Sequence, residues 1–335
     1  MEHNQDLPDE LSFVLPNAWV RTLAPWRGVL TVPTKPPAPD AARQLAERIA
    51  AFTDFITEIL GGPSTDPELA EAGHAELRGA SSPLGAAVLA TALGDLATWD
   101  VRSRLPAFAD GWVVAHGLAF AAEATFLRSG LVATWENSHT RSRHRYLRRA
   151  QESDWLRTYL ESGLPRRVRA LLAAGDDDEY RAVVELLRER EGTDLQRATA
   201  VFLVPTETAM VDECVARLAA RRGAAWPALT PHELLLCSIS SMAQLRVLGY
   251  DREPSMMLEG TAVVRTLAAV VGAEIAPMLA LRLDDEQLGT DALRIVLDVL
   301  AALPTDEAFQ IMVERLDQKY VQPSVLAAAQ RFPVR

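Results

Sequence analysis

The densest group of chemically distinctive side chains in the sequence is a run of arginines. The run contains Arg141, Arg143, Arg145, Arg148 and Arg149, with Tyr146 among them. On a helix, steps of three and four residues would place Arg141, Arg145 and one of the last two arginines on one face. Guanidinium groups bind phosphate and carboxylate in a fixed fork, and a tyrosine ring can stack on a base. The run therefore predicts a contact for phosphate, nucleic acid or an acidic peptide. The alternative is a solvated face that pairs with acidic residues such as those at 176–179.

A second group of candidate residues is Trp112, His116 and Glu123. They lie in a stretch that is apolar on nearly every side and that predicts one helix over residues 109–128. A spacing of seven places His116 and Glu123 on the same helix face. A buried histidine–carboxylate pair in a cleft is suited to general acid–base chemistry, because burial and charge move both pKa values toward neutrality. The alternative is that both residues are satisfied within a helical core.

No other group of residues predicts catalysis, a metal site or a cofactor. Glu136 and His139 lie near His144, but their spacing fits no closed metal site. The acidic run 176–179 lacks the pattern of a calcium loop and is expected to cap a helix. The sequence contains no GxSxG, GxxxxGK[ST] or GxGxxG motif. Cys214 and Cys237 are too few for a disulfide framework and lack CxxC spacing, so both are expected to be buried free thiols. We therefore expect a protein that is not an enzyme.

The charge and hydropathy of the chain restrict its partners and its location. The formal net charge of −11 makes nucleic acid and anionic membranes unfavourable partners unless a local basic patch intervenes. The longest apolar stretch, residues 111–127, includes His116 and Glu123 and is too short for a membrane span. Residues 1–10 are acidic and polar, unlike a signal peptide. These features predict a cytoplasmic protein without a membrane segment.

The distribution of proline and of hydrophobic periodicity predicts an all-α fold in three parts. Residues 1–40 form an irregular, proline-rich arm, whose Trp19 and Trp26 are expected to dock onto the helical body. Residues 41–164 form a helical lobe, and residues 165–335 form HEAT-like α–α repeats. No segment alternates in the manner of a strand with turns on both sides, so a sheet is not expected. Predicted helices cover residues 40–60, 67–78, 83–99, 109–128, 141–161, 165–174, 178–190, 194–203, 206–221, 231–249, 255–271, 291–303, 306–316 and 323–331.

A short internal repeat supports the assignment of α–α units. The sequence Val204-Pro205-Thr206-Glu207 resembles Leu303-Pro304-Thr305-Asp306, and in each case an apolar helix end comes first and acidic residues follow. Proline ends the first helix, threonine is expected to cap the next, and acidic residues favour the positive end of its dipole. This is the turn of a helical hairpin, and its recurrence predicts two or three stacked units.

Several of these motifs resemble segments of large MolR-like bacterial proteins. The opening Leu15-Pro16-Asn17-Ala18-Trp19 and Leu23-Ala24-Pro25-Trp26-Arg27-Gly28 are similar to the start of such proteins. The two Pro-Thr turns and the stretch from Leu316 to Arg335 are similar to their helical-repeat region. The resemblance implies a scaffold of HEAT-like repeats followed by a further domain, and it supplies no catalytic residues. Such proteins run much longer, so it also implies that this chain is a fragment or a short form.

Together these observations predict a non-catalytic helical-repeat scaffold that binds a protein partner. Stacked helix pairs present an extended surface that suits large partners. Two other functions stay open at this point. One is a small-ligand sensor or enzyme with a site around Trp112, His116 and Glu123 in the first lobe, and the other is nucleic-acid binding through a helix over Arg141–Arg149.

Overall fold

The computed structural model describes residues 12–96, 105–135, 144–151, 163–221, 229–252, 260–286 and 288–333. Within these ranges the chain forms 17 α-helices, the 3-10 helices Asn17–Trp19 and Gly272–Ile275, and one two-stranded sheet. The all-α class is confirmed. The expectation that no sheet would form is wrong, because a short hairpin is inserted between two of the helices.

Six helices precede the hairpin. They are α1 Ala41–Ala51, α2 Thr53–Leu60, α3 Pro67–Leu77, α4 Pro83–Leu96, α5 Pro106–His116 and α6 Leu118–Ser129. Three of the predicted helices are each divided in two; the one over 231–249, after the hairpin, is divided into Leu229–Leu236 and Met242–Val247. The other two precede the hairpin. The helix over 40–60 is interrupted at Phe52, whose backbone leaves the helical region (φ −118°, ψ 16°). The helix over 109–128 ends at Gly117 (φ 89°, ψ 176°), a conformation that is essentially restricted to glycine.

The hairpin contradicts the helix predicted over residues 141–161. Strands β1 (Leu131–Trp135) and β2 (Arg145–Arg149) pair antiparallel, with Ala133 opposite Leu147. The outer edge of β2 is also bonded, since Leu147 N donates to Thr65 Oγ1 (3.2 Å) and Leu147 O accepts from Asp66 N (2.9 Å). Pairing on both edges fixes β2 as a strand, and Thr65 on its outer edge lies 82 residues from Leu147 in the sequence.

Eleven helices follow the hairpin in the described residues, and alternate helices contact one another. They are α7 Leu164–Ala174, α8 Asp177–Arg188, α9 Asp194–Leu203, α10 Thr208–Ala220, α11 Leu229–Leu236, α12 Met242–Val247, α13 Thr261–Val270, α14 Ala276–Leu283, α15 Thr290–Leu300, α16 Asp306–Val313 and α17 Val321–Arg331. Each odd-numbered helix from α7 to α15 contacts the next odd-numbered helix, and α10–α12 and α14–α16 also pack together. Helix α5 packs against α7, and α6 packs against α7, α8 and α9. Buried residues on both sides of residue 164 therefore belong to one continuous core.

The two Pro-Thr turns differ in the role of their threonine. Thr305 caps α16, because its side chain accepts a hydrogen bond from Ala308 N (3.2 Å). Thr206 does not cap α10, since its hydroxyl bonds instead to the Tyr180 hydroxyl (2.8 Å) and Glu207 occupies the cap position. The expected capping is therefore confirmed in one copy and wrong in the other. The acidic run does cap a helix, because Asp176 accepts from Glu179 N (2.8 Å) at the start of α8.

The N-terminal arm lies along the helices that follow the hairpin. Trp19 is 1% exposed, and its indole N–H donates to Asp298 of α15 (2.8 Å). Ala24 N donates to Thr266 Oγ1 of α13 (3.0 Å), and Arg331 of α17 donates to the carbonyl of Val14. The arm thus docks on the helical body as predicted.

Arg169 joins the arm to two helix ends in the centre of the molecule. This α7 side chain is 1% exposed and donates to the carbonyl oxygens of Pro25 (2.6 Å), Phe202 (3.0 Å) and Cys237 (3.0 Å). Its guanidinium also lies over the rings of Trp26 and Phe202. Phe202 is in the last turn of α9 and Cys237 directly follows α11. The cation therefore faces the negative ends of two helix dipoles.

Burial lowers the pKa of Arg169 from its ordinary value to about 10. The group remains protonated at neutral pH. Because the folded pKa is lower than the unfolded one, the penalty for burying the charge is constant below about pH 10 and is relieved only as the pH rises above that value. The contribution of Arg169 to stability therefore does not change with pH near neutrality.

We expect Arg169→Met to lower the free energy of unfolding by at least about 3 kcal/mol, because three buried carbonyl groups lose their donor. Arg169→Lys should also be destabilising, since one ammonium group lacks the planar fork of donors. Urea denaturation followed by circular dichroism measures both effects. The control is Arg181→Met on α8, whose exposed side chain forms a surface ion pair with Asp178, so the substitution should change stability by less than about 0.5 kcal/mol. A similar small loss for Arg169→Met would contradict the central role of this residue.

Candidate functional site

The hairpin places the predicted arginine residues on a strand, which changes how they are grouped. Arg141 and Arg143 lie outside the described residues. The other four predicted residues, Arg145, Tyr146, Arg148 and Arg149, belong to β2. Successive side chains of a strand point to opposite faces, so Arg145 and Arg149 share one face while Tyr146 and Arg148 lie on the other. The single basic face expected from a helix is therefore wrong.

Two of these arginines already have partners within the protein. Arg149 forms an ion pair with Glu68 (2.6 Å) and approaches Asp66 (3.9 Å), both near the start of α3. Arg148 donates to the carbonyl oxygen of Arg149 (3.1 Å). The acidic run 176–179 makes a different contact, since its Asp177 pairs with Arg27 of the arm (2.5 Å). The expected pairing of this run with the basic cluster is not among the contacts of the described residues.

Arg145 differs from its neighbours because aromatic rings, not carboxylates, surround its charge. Its guanidinium carbon lies 4.7 Å from the centre of the Phe55 ring and 4.5 Å from that of Trp135. Trp135 is directly opposite Arg145 in the strand register and is 40% exposed. Cation–π contacts of this kind hold a guanidinium in one place while leaving its edge open.

Gly62 allows the hairpin to approach α2 closely at this position. A Cβ atom added to Gly62 would lie 2.4 Å from the carbonyl oxygen of Arg145, which is shorter than any real contact of that kind. The absence of a side chain at residue 62 therefore permits the approach that brings Arg145 onto the Phe55 ring. Sequence reasoning missed Phe55 and Trp135. The Leu-Val-Ala-Thr-Trp segment after Gly130, rich in strand-forming residues, is the signal that could have indicated β1.

The predicted pocket residues do not bind one another. Trp112 is buried in α5 with its ring edge-on to Phe108 (5.6 Å between centroids). His116 is the last residue of α5, whereas Glu123 belongs to α6 and forms an ion pair with Arg190. The break at Gly117 lies between them, so the expectation that they share one helix face is wrong.

His116 instead contacts the turn between α3 and α4. Its Nε2 lies 3.2 Å from Ser81 Oγ, and Ser81 donates its hydroxyl proton to Glu76 Oε1 (2.8 Å). Because that proton goes to the carboxylate, the histidine must act as donor to the serine oxygen. A serine nucleophile requires the reverse, with histidine accepting the proton. This arrangement ties the turn to the end of α5 and does not activate Ser81.

Comparison with known families gives one match, to the model of the YehI second domain, over residues 40–255. The match covers more than half of the chain. The chain belongs to the YehI second domain family. No curated protein and no solved structure matches it.

The YehI second domain includes α1 to α12 and the hairpin, and so contains every predicted site residue. The arm and helices α13 to α17 lie outside the matched range. They are nevertheless bonded to the YehI second domain, since Arg169 donates to Pro25 and Arg166 donates to the carbonyl oxygen of Thr22 (2.5 Å). The structural unit is therefore larger than the matched range.

Metal-ligand groups and membrane-spanning helices are two further features that bear on the function of the chain. Among the described residues, no group of three or more His, Cys, Asp or Glu side chains is placed to hold a metal ion. Glu136 and His139 lie outside the described residues. No helix in the described parts of the chain is both long and apolar enough to cross a membrane.

The two thiols of the YehI second domain are free and buried, as expected. Burial raises the pKa of Cys214 to about 12 and that of Cys237 to about 11. At pH 8 a pKa of 11 leaves about one thiol in a thousand as the reactive thiolate. These cysteines are therefore poor candidates for nucleophilic chemistry.

We expect the native protein to react with Ellman's reagent at pH 8 far more slowly than a free thiol, because both cysteines are buried and protonated. In denaturant, both should react at the rate of an ordinary cysteine. Absorbance of the released chromophore measures the two rates. Rapid labelling of one thiol in the native protein would show that at least one cysteine is accessible, and Cys214→Ser and Cys237→Ser variants would identify it.

Proposed function

We propose that this chain is a non-catalytic helical-repeat scaffold for protein–protein interaction, and that the hairpin surface around Trp135 and Arg145 contacts the partner. The observation that carries the proposal is an exposed indole beside a guanidinium that has no carboxylate partner among the described residues. Tryptophan and arginine are among the residues most enriched at the energetic centres of protein interfaces.

The scaffold part of the proposal is supported by the packing after the hairpin. Contacts between alternate helices from α7 to α17 fit the stacking of α–α pairs in a HEAT-like array. The arm lies along α13, α15 and α17 and bonds to them, so it takes up surface that such an array offers to partners. This favours the hairpin as the contact surface.

Three further points belong to the same proposal. Relation to the helical-repeat region of larger MolR-like bacterial proteins rests on the Pro-Thr turns and the arm motifs. A cytoplasmic location is supported by two free cysteines, which persist in a reducing compartment. The absence of catalysis is supported by the separate partners of His116 and Glu123.

Nucleic-acid binding is the competing function for the same surface. It would require several free cations along a track, because affinity for a polyanion grows with the number of phosphates neutralised. Within the described part of the hairpin, Arg149 is already paired with Glu68. The net charge of −11 also opposes a polyanion.

A quantitative affinity capture tests the proposal. The full chain is immobilised and exposed to a nuclease-treated lysate of its source organism, in parallel with an Arg145→Glu, Trp135→Ala variant. We expect wild type to retain specific proteins and the variant to retain at least about tenfold less, because loss of an interface centre costs 2 kcal/mol or more.

The matched control is Arg181→Glu with Val247→Ala, which makes the same change of charge and removes an exposed apolar side chain (56% exposed) elsewhere. The control should bind as wild type does. Equal capture by wild type and the hairpin variant, or capture that occurs only when the nuclease treatment is omitted, would count against the proposed function.

A further inference from the structure

We infer that Arg145 is a receptor for a single carboxylate on an acidic segment of the partner protein, which packs beside it on Trp135. This inference rests on the proposed function, because it names the chemistry of the same surface.

Among the described residues, no acidic side chain compensates the charge of Arg145, whereas Arg149 of the same strand is paired with acid. The guanidinium of Arg145 contacts the rings of Phe55 and Trp135, and its buried Nε has no hydrogen-bond partner among the described residues. Arg149, four residues along β2 on the same face, pairs with Glu68. Acidic side chains are therefore available nearby, yet none is bonded to Arg145.

The guanidinium is held in advance of binding. Contacts with two rings, together with the close approach at Gly62, restrict its position before any ligand arrives. Forming an arginine–carboxylate contact costs free energy because the arginine side chain must be ordered. In this fold the ring contacts already restrict the Arg145 side chain, so less ordering is needed on binding. A preorganised arginine is what a bidentate contact requires.

The direction of approach follows from the burial of the guanidinium. Its Nε atom is buried without a hydrogen-bond partner, whereas the two terminal nitrogens are not among the buried unbonded atoms. A ligand therefore approaches the two terminal nitrogens of the guanidinium, whose parallel N–H groups match the two oxygens of one carboxylate. The exposed indole of Trp135 lies next to that position and offers a surface for the peptide that carries the carboxylate.

The surroundings favour one carboxylate over a chain of phosphates. Asp66 and Glu68 lie near Arg149 on the same side of the hairpin and compensate its charge, so Arg149 adds little to the binding of a second anionic group. A single acidic side chain at Arg145 needs no second cation. Among the described residues of β2, Arg145 is thus a point contact and not part of a continuous basic track.

Binding of fluorescein-labelled hexaglutamate to the full chain, measured by anisotropy, tests this inference. Hexaglutamine and a thymidine dodecanucleotide are titrated in parallel. We expect hexaglutamate to bind, hexaglutamine not to bind, and the oligonucleotide to bind more weakly than hexaglutamate. Arg145→Gln should weaken hexaglutamate binding at least about tenfold, since it removes the charge and the fork.

The control Arg181→Gln removes an exposed arginine from α8 and should leave the affinity unchanged. Arg145→Lys separates charge from geometry, and it should recover only part of the loss because an ammonium group lacks the planar fork. Thermal unfolding of each variant checks that the fold is retained.

Three results would overturn the inference: no hexaglutamate binding, binding that Arg145→Gln leaves intact, or tighter binding of the oligonucleotide. The affinity capture with the Arg145→Glu, Trp135→Ala variant distinguishes this failure from failure of the scaffold function. Proteins that depend on the hairpin in that capture, without hexaglutamate binding here, would leave the interaction surface in place and exclude only its carboxylate specificity.

Discussion

A buried guanidinium without a carboxylate partner is the interaction on which the rest of this structure depends. Arg169 directs its donors to three carbonyl oxygens, one in the arm and two at the ends of α9 and α11. Carbonyl groups at helix ends lack partners within the helix and carry partial negative charge. One cation therefore satisfies both helices, and Pro25 supplies the third acceptor. Removing any of these segments would leave a buried charge or a buried carbonyl uncompensated, so the arm and the stacked helices are structurally interdependent.

The same arrangement decides which surface is left for other molecules. The arm both donates and accepts hydrogen bonds. Arg27 of the arm donates to the carbonyl oxygens of Leu172 and Gly175 at the end of α7, and Thr22 of the arm accepts from Arg265. Trp19 and Trp26 are buried in this interface. The face covered by the arm is thus part of the folded core. Among the described residues, the hairpin exposes the Trp135 indole beside the guanidinium of Arg145.

The sequence predicted the elements that depend on local patterns. It did not predict those elements whose structure depends on contacts with other segments of the chain. The span of α9 was predicted to the residue, because the Thr193–Gln196 capping box and an apolar end define it locally. Helix α14 was not among the predicted helices; Pro277 lies in its first turn, where proline is tolerated. Strand β2 was mistaken for a helix because its identity comes from pairing with β1 and with the loop at Thr65. The candidate site was only half predicted: Arg145 was among the named residues, but Phe55 is far from it in the chain and no spacing rule connects them.

The position of the arm in the chain also affects the order in which parts of the protein can fold during synthesis. Trp19 leaves the ribosome early, yet its partner Asp298 follows 279 residues later. At a translation rate of about 5–20 residues per second, the nascent chain carries its two arm tryptophans undocked for tens of seconds. During this interval the helices that will receive the arm are incomplete, and their apolar surfaces are open to solvent and to chaperones. A segment that is made early is consequently among the last parts of the described chain to dock.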